Sequence, residues 1–158
     1  MFADALSTTP STSELVVLIV HLLATAAMTG LIWFVQVVHY PLFDAVGTSG
    51  FANYAQAHQR RTSFVVGPFM AAEGVTALWM AIVPPTGVPR WLAVLGLAVL
   101  AVVLGSTVLL QVPQHAALAN GHDESRTTRL VRTNWIRTIG WSVRSIIAAV
   151  MLIAAVHT

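Results

Sequence analysis

Hydrophobic positions along this chain gather into four long runs, at residues 15–38, 62–83, 91–112 and 139–156. A bilayer core about 30 Å thick needs about 20 helical residues to cross it, and each run is about that long. The breaks between them are short. Gly47-Thr48-Ser49-Gly50 is a turn, Pro84-Pro85-Thr86-Gly87-Val88-Pro89 cannot continue a helix, and Asn120-Gly121-His122-Asp123 is again turn chemistry. Short connections make successive helices antiparallel neighbours. The pattern therefore predicts an all-α integral membrane protein, an up-down-up-down four-helix bundle forming a single four-span domain over residues 1–158.

Local signals refine the elements. Ser11 and Glu14 are spaced for a capping box at the first helix. Pro41 removes a backbone donor and is expected to kink or end that helix, and Gly67-Pro68 to bend the second. Ser49 is the expected N-cap of the second helix, Pro113 falls near the end of the third, and Asp123 or Ser125 is expected to cap the fourth. Residues 1–13 are small and polar. With Asp4 and Glu14 in place of a basic region, and a first apolar run too long for a signal core, no signal peptide is expected.

Composition agrees: 56% of the residues are hydrophobic and 9% charged, where soluble domains carry about 25% charge. Cysteine is absent, which removes disulfides, thiolate metal sites and cysteine catalysis from consideration. The net charge of +2 comes from eight arginines and no lysine. These flank or enter the apolar runs, so membrane orientation explains them better than nucleic acid does. Arg60, Arg61, Arg126, Arg129 and Arg132 flank the first and third turns, whereas Arg90 alone sits at the second. By the positive-inside rule the 1–2 and 3–4 turns are cytoplasmic and both termini outside. The expected partners are membrane lipid and a hydrophobic small molecule, with no nucleic acid. Homo-oligomerisation stays open.

Candidate chemistry comes from polar residues inside this apolar frame, where ionisable groups are costly and tend to mark sites. On the first helix, His21 and His39 are eighteen residues, five whole turns, apart and share a face with Thr25, Met28 and Ile32, with Gln36 nearby. The second helix carries Tyr54, His58 and Arg61 at i, i+4 and i+7. The third carries Thr107, Gln111 and His115 at four-residue steps. The fourth carries Asn134, Arg137, Trp141 and Arg144. Antiparallel packing then brings His39, Tyr54, His58, Arg61, His115, Asn134 and Arg137 together near the cytoplasmic face. Glu73 lies about 18 Å below the start of its apolar run at 1.5 Å per residue, level with His21 and within reach of Arg144.

Plainer readings compete with these. A single interfacial His or Arg commonly snorkels to the headgroups, Trp33, Trp79, Trp91 and Trp135 fit an aromatic belt, and Glu73 with Arg144 is also readable as structural pairing. His122 and His157 are turn and terminal residues with no assigned role. For His39, His58 and His115 two possibilities stay open: ligands of one metal ion (iron, copper or zinc), or a hydrogen-bonding acid–base cluster without metal. Haem ranks behind both.

The stretch Gln111-Val112-Pro113-Gln114-His115-Ala116-Ala117-Leu118, a polar turn, and then Arg129-Leu130-Val131-Arg132-Thr133-Asn134-Trp135-Ile136-Arg137 resembles the anthrone oxygenase-like family of four-helix membrane proteins. That family carries a Pro-x-Asn-x-x-Leu element near the end of its third helix and Asn-x-x-Arg in its fourth. Pro113 and Leu118 flank the first element with His115 at the asparagine position; Asn134 and Arg137 match the second. The resemblance implies oxygenation of hydrophobic polycyclic phenols. A weaker similarity links His58-Gln59-Arg60-Arg61-Thr62-Ser63-Phe64-Val65-Val66-Gly67-Pro68 to the haem-binding membrane protoporphyrinogen oxidases.

Three functions follow as alternatives. The first is a membrane-embedded oxidoreductase or oxygenase acting on a lipid-soluble aromatic or quinone-like substrate. In it His39, His58 and His115 accept protons or bind metal, Asn134 and Arg137 hold a developing oxyanion, and Glu73 is a ligand or a desolvated acid. The second is a non-enzymatic subunit of a larger membrane complex. The third is a proton or ion conduit through His21, Glu73 and Arg144.

Overall fold

The structure is a computed structural model that describes residues 9–157. Most of the small polar segment ahead of the first helix, residues 1–8 with Asp4, lies outside the described residues. Four helices form: α1 Thr12–Ala45, α2 Phe51–Ile82, α3 Arg90–Leu118 and α4 Glu124–Val156, each long and apolar enough to cross a membrane. Among the described residues there is no strand. The helices are longer than the apolar runs because polar turns, such as Asn53–Arg61 on α2, extend them past the hydrophobic zone.

The helices close a ring in which α1 packs on α4 and α2, and α3 on α4 and α2. Outward faces present Leu23, Phe34, Phe64, Val75, Val102 and Ile146, all well exposed, an arrangement suited to an apolar surround such as lipid. This is an integral membrane four-helix bundle. Hydrophobic burial gives helices little reason to associate in lipid, so packing and interhelical hydrogen bonds do the work. Gly140 lets α4 approach α3: a Cβ there would run into Val103. Thr29 Oγ1 donates to the Trp141 carbonyl at 2.8 Å and lies 2.8 Å from Ser145 Oγ, joining α1 to α4.

The interior alternates along its axis. One apolar layer holds Leu18, Met80, Leu92 and Met151, a second Met28, Ile32, Val103 and Trp141, and a third Tyr40, Phe43, Phe51 and Leu130. Buried polar residues occupy the two gaps. His21, Thr25, Glu73 and Arg144 fill the lower one, and Gln36, Asn134, Thr138 and Gln111 the upper.

End signals behave as their chemistry dictates, with one exception. The Ser11–Glu14 capping box forms, and Asp123 caps α4 by accepting from the Arg126 backbone N–H at 3.1 Å. The Ser125 hydroxyl and that N–H hold the Asp123 carboxyl below its usual range. α2, by contrast, starts from Gly50 with no side-chain cap, so Ser49 does not serve. α2 also runs unbroken through Pro68; a proline in a spanning helix is tolerated where neighbours satisfy the freed carbonyl.

His122 is not idle. Its Nε2 lies 3.0 Å from Asp44 Oδ1 and its ring meets Phe51 edge-on, which ties the 1–2 turn to the 3–4 turn. Both turns lie at one end of the bundle. At the other end Glu14 Oε1 accepts from the Thr86 N–H and hydroxyl.

Candidate active site: a cleft between two π-turns

The upper polar layer owes its geometry to a device used twice. α1 is α-helical to Phe34, passes through a π-turn at Val35–His39, and meets Pro41. α3 is α-helical to Ser106, passes through a π-turn at Thr107–Gln111, and meets Pro113. A proline clashes with the carbonyl four residues back and supplies no N–H. The wide i→i−5 turn just before it relieves that clash: Tyr40 N–H bonds the Val35 carbonyl at 2.9 Å. Such a turn inserts one residue, about 100° of rotation, into everything that follows.

That rotation changes which side chains face inward. His39 does not continue the stripe of His21, Thr25, Met28 and Ile32. Gln36 (3% exposed) and Tyr40 (2%) do, while His39 turns toward α2. There His39 Nε2 lies 2.8 Å from His58 Nδ1, with Thr62 Oγ1 3.2 Å from the same nitrogen. Tyr54 stacks alongside His58. His115 bonds elsewhere, its Nε2 lying 2.9 Å from the Tyr40 hydroxyl. The rings of His58 and His115 stand 5.8 Å apart, centre to centre.

The three histidines therefore share a neighbourhood but not one focal point. Among the described residues no group of three His, Cys, Asp or Glu side chains is placed to hold a metal ion. Of the two arrangements left open for these residues, the geometry matches hydrogen-bonded pairing: one histidine pair and one histidine–tyrosine pair.

A cleft of about 240 Å³ opens beside these pairs. Its lining brings Tyr40, His58, His115 and Arg137 together with the apolar Leu31, Ile32, Val35, Val66 and Val112 and the polar Gln59, Thr62 and Ser63. α1, α2 and α3 supply most of its lining and α4 supplies Arg137. Thr107, Gln111 and His115 all line it. Asn134 stands behind, accepting from Arg137 Nη1 at 3.0 Å and donating through Nδ2 to Gln36 Oε1 at 2.9 Å. Gln36 in turn donates to the Val131 carbonyl at 3.2 Å. The chain Gln36–Asn134–Arg137 thus braces the guanidinium from behind. Two buried polar atoms of cleft-lining residues keep no partner, the Arg137 Nε donor and the Gln111 Oε1 acceptor. Unpaired buried groups of this kind are uncommon and call for an explanation.

Glu73, grouped with the site residues on sequence, belongs to the other polar layer. At 15 residues from His58 along α2 it is roughly 22 Å away, and it does not line the cleft. Its Oε1 accepts from Arg144 in a fully buried ion pair, and from Thr25 Oγ1 at 3.3 Å. Arg144 also donates to the Gly96 carbonyl and lies 3.1 Å from His21 Nε2. His21 Nδ1 lies 2.8 Å from Thr76 Oγ1. Trp33, Trp79, Trp91 and Trp135 are all exposed on the outside of the bundle. Sequence reasoning did not assign Tyr40 or Gln36 to the site. Their only signals were a tyrosine between a histidine and a proline, and an amide within an apolar run. Compared with protein-family models, curated proteins and solved structures, the chain gives no match.

Proposed function

We propose that this protein binds a lipid-soluble phenol or quinone in the α2–α3 cleft and exchanges a proton with its oxygen. That is the acid–base part of an oxidoreductase or oxygenase reaction. The observation that carries this reading is the convergence of Tyr40, His58, His115 and Arg137 on a cleft whose remaining lining is largely apolar. An aromatic ring bearing oxygen matches both kinds of lining. The Arg137 charge favours the ionised oxygen, His58 is a neutral-imidazole base within the same space, and apolar walls keep water away.

Size narrows the ligand. A cavity of about 150 Å³ takes benzene, so about 240 Å³ suits one substituted ring with its tail left in the bilayer. A fused three-ring phenol, which the anthrone oxygenase-like resemblance implies, fits less well. Membership of that family remains a proposal resting on Asn134 and Arg137, whose mutual hydrogen bond gives the Asn-x-x-Arg spacing a physical purpose.

Orientation belongs to the same proposal. The 1–2 and 3–4 turns, joined by His122 and Asp44, carry the flanking arginines and face the cytoplasm. Single cysteines at Ser49, Asn120 and His157, in a chain that has none, test this with an impermeant maleimide. Labelling of His157→Cys alone from outside is expected.

The test of function is saturation binding of decylubiquinone and of a lipophilic single-ring phenol to the protein in nanodiscs, with oxygen uptake followed in parallel. Binding that disappears in Arg137→Leu supports the reading. Equal partitioning into protein-free discs overturns it.

A further inference from the structure

The cleft is one of two spaces that meet at His58. The second, about 220 Å³, lies between α1 and α2, and its lining includes Phe34, His39, Arg61 and Val65. His58, Thr62 and Val35 line both spaces, whereas His39 lines only the second, and His115 and Arg137 only the first. Both hydrogen bonds of His58 fall on Nδ1, toward His39 and Thr62. Its Nε2 is left for the cleft.

We propose that His58 and His39 form a proton wire across this partition, from the ligand's oxygen to the second space. The inference rests on the ligand reading above and extends it. The step balances without a co-reactant. The ligand's O–H bond breaks and its proton goes to His58 Nε2; the Nδ1 proton of His58 passes 2.8 Å to His39 Nε2; His39 releases its Nδ1 proton to water. The pair ends neutral in the opposite tautomers, and the phenolate stays beside Arg137. His115 does not replace this path, because its Nε2 is engaged by the Tyr40 hydroxyl.

The charged and titratable groups around the wire set its direction. Arg137 lines the ligand side and His115 faces His58 there, so a proton lingering on His58 is repelled by Arg137. On the far side His39 faces Tyr54 from α2, with Tyr40 next to it on its own helix. Arg61 lines that space and is exposed, so solvent screens it. A proton gains by moving outward.

The experiment uses ¹⁵N-histidine protein in nanodiscs with 2,4-dichlorophenol as the probe, signals being assigned by single-histidine variants. In the wild type the phenol is expected to shift the imidazole nitrogens of His58, His115 and His39. In His58→Gln the His39 response should vanish while His115 still responds. In His39→Gln, which leaves the cleft lining untouched, binding should persist while the rate at which bound phenol ionises after a pH jump falls. A wild-type response confined to His58 and His115 overturns the wire and leaves the ligand reading standing. An unchanged ionisation rate in His39→Gln also overturns the wire. No response at any of the three removes the ligand reading, and the wire with it.

Discussion

Tyr40 and His115 meet hydroxyl to imidazole at 2.9 Å, although 75 positions separate them in the chain. The contact bridges the two helices that carry the π-turns and holds His115 at the edge of the cleft. Tyr40→Phe removes one neutral hydrogen bond, worth about 1 kcal/mol net. The expected result is a small loss of thermal stability together with weakened phenol binding, because His115 is free to rotate. Unaltered binding with unaltered melting would mean that the pair neither positions nor stabilises.

Arg137 is the cleft's fixed charge, and Asn134 is its brace. A hydrogen bond to a charged group is worth about 1.5–3 kcal/mol, and each 1.4 kcal/mol is about tenfold in affinity. Arg137→Leu should weaken binding of an oxygen-bearing ring by about tenfold or more. Asn134→Ala should show a smaller loss, since the guanidinium remains but its orientation is freed. Partition-corrected titration in nanodiscs reads both.

The lower polar layer answers to stability. Glu73→Gln leaves the Arg144 guanidinium buried without its counter-charge, and breaking such a pair costs about 3–5 kcal/mol. The double variant Glu73→Leu with Arg144→Leu should recover much of that loss, because an apolar pair in place of a buried ion pair is often tolerated. Unfolding in mixed detergent measures both. A double variant no more stable than Glu73→Gln alone would assign the layer a role beyond mutual pairing.

Gly140 tests the α3–α4 contact. Gly140→Ala places a methyl group against the Val103 side chain, and overpacking of this kind costs about 1–3 kcal/mol. Val103→Ala in the same chain should relieve it. Additive losses in the double variant would show that the two residues do not touch.

Much of this architecture is written in the order of residues. Four apolar runs of bilayer length with short polar breaks leave few arrangements other than an antiparallel bundle, because lipid satisfies no backbone group and each span must satisfy its own. Glu73 with Arg144 and His21 was equally readable, since three ionisable groups at one depth in an apolar interior must find each other. The upper site was readable only in part. Its residues could be named, but periodicity at 3.6 residues per turn placed His39 on the inward stripe, and the π-turn before Pro41 rotates it away and brings Tyr40 in its place. Only the packed structure decided that His39 pairs with His58 and His115 with Tyr40. It also decided that a cleft opens between α2 and α3. A shift of about 100° in helical phase costs little energy locally, and contacts with the neighbouring helices select it.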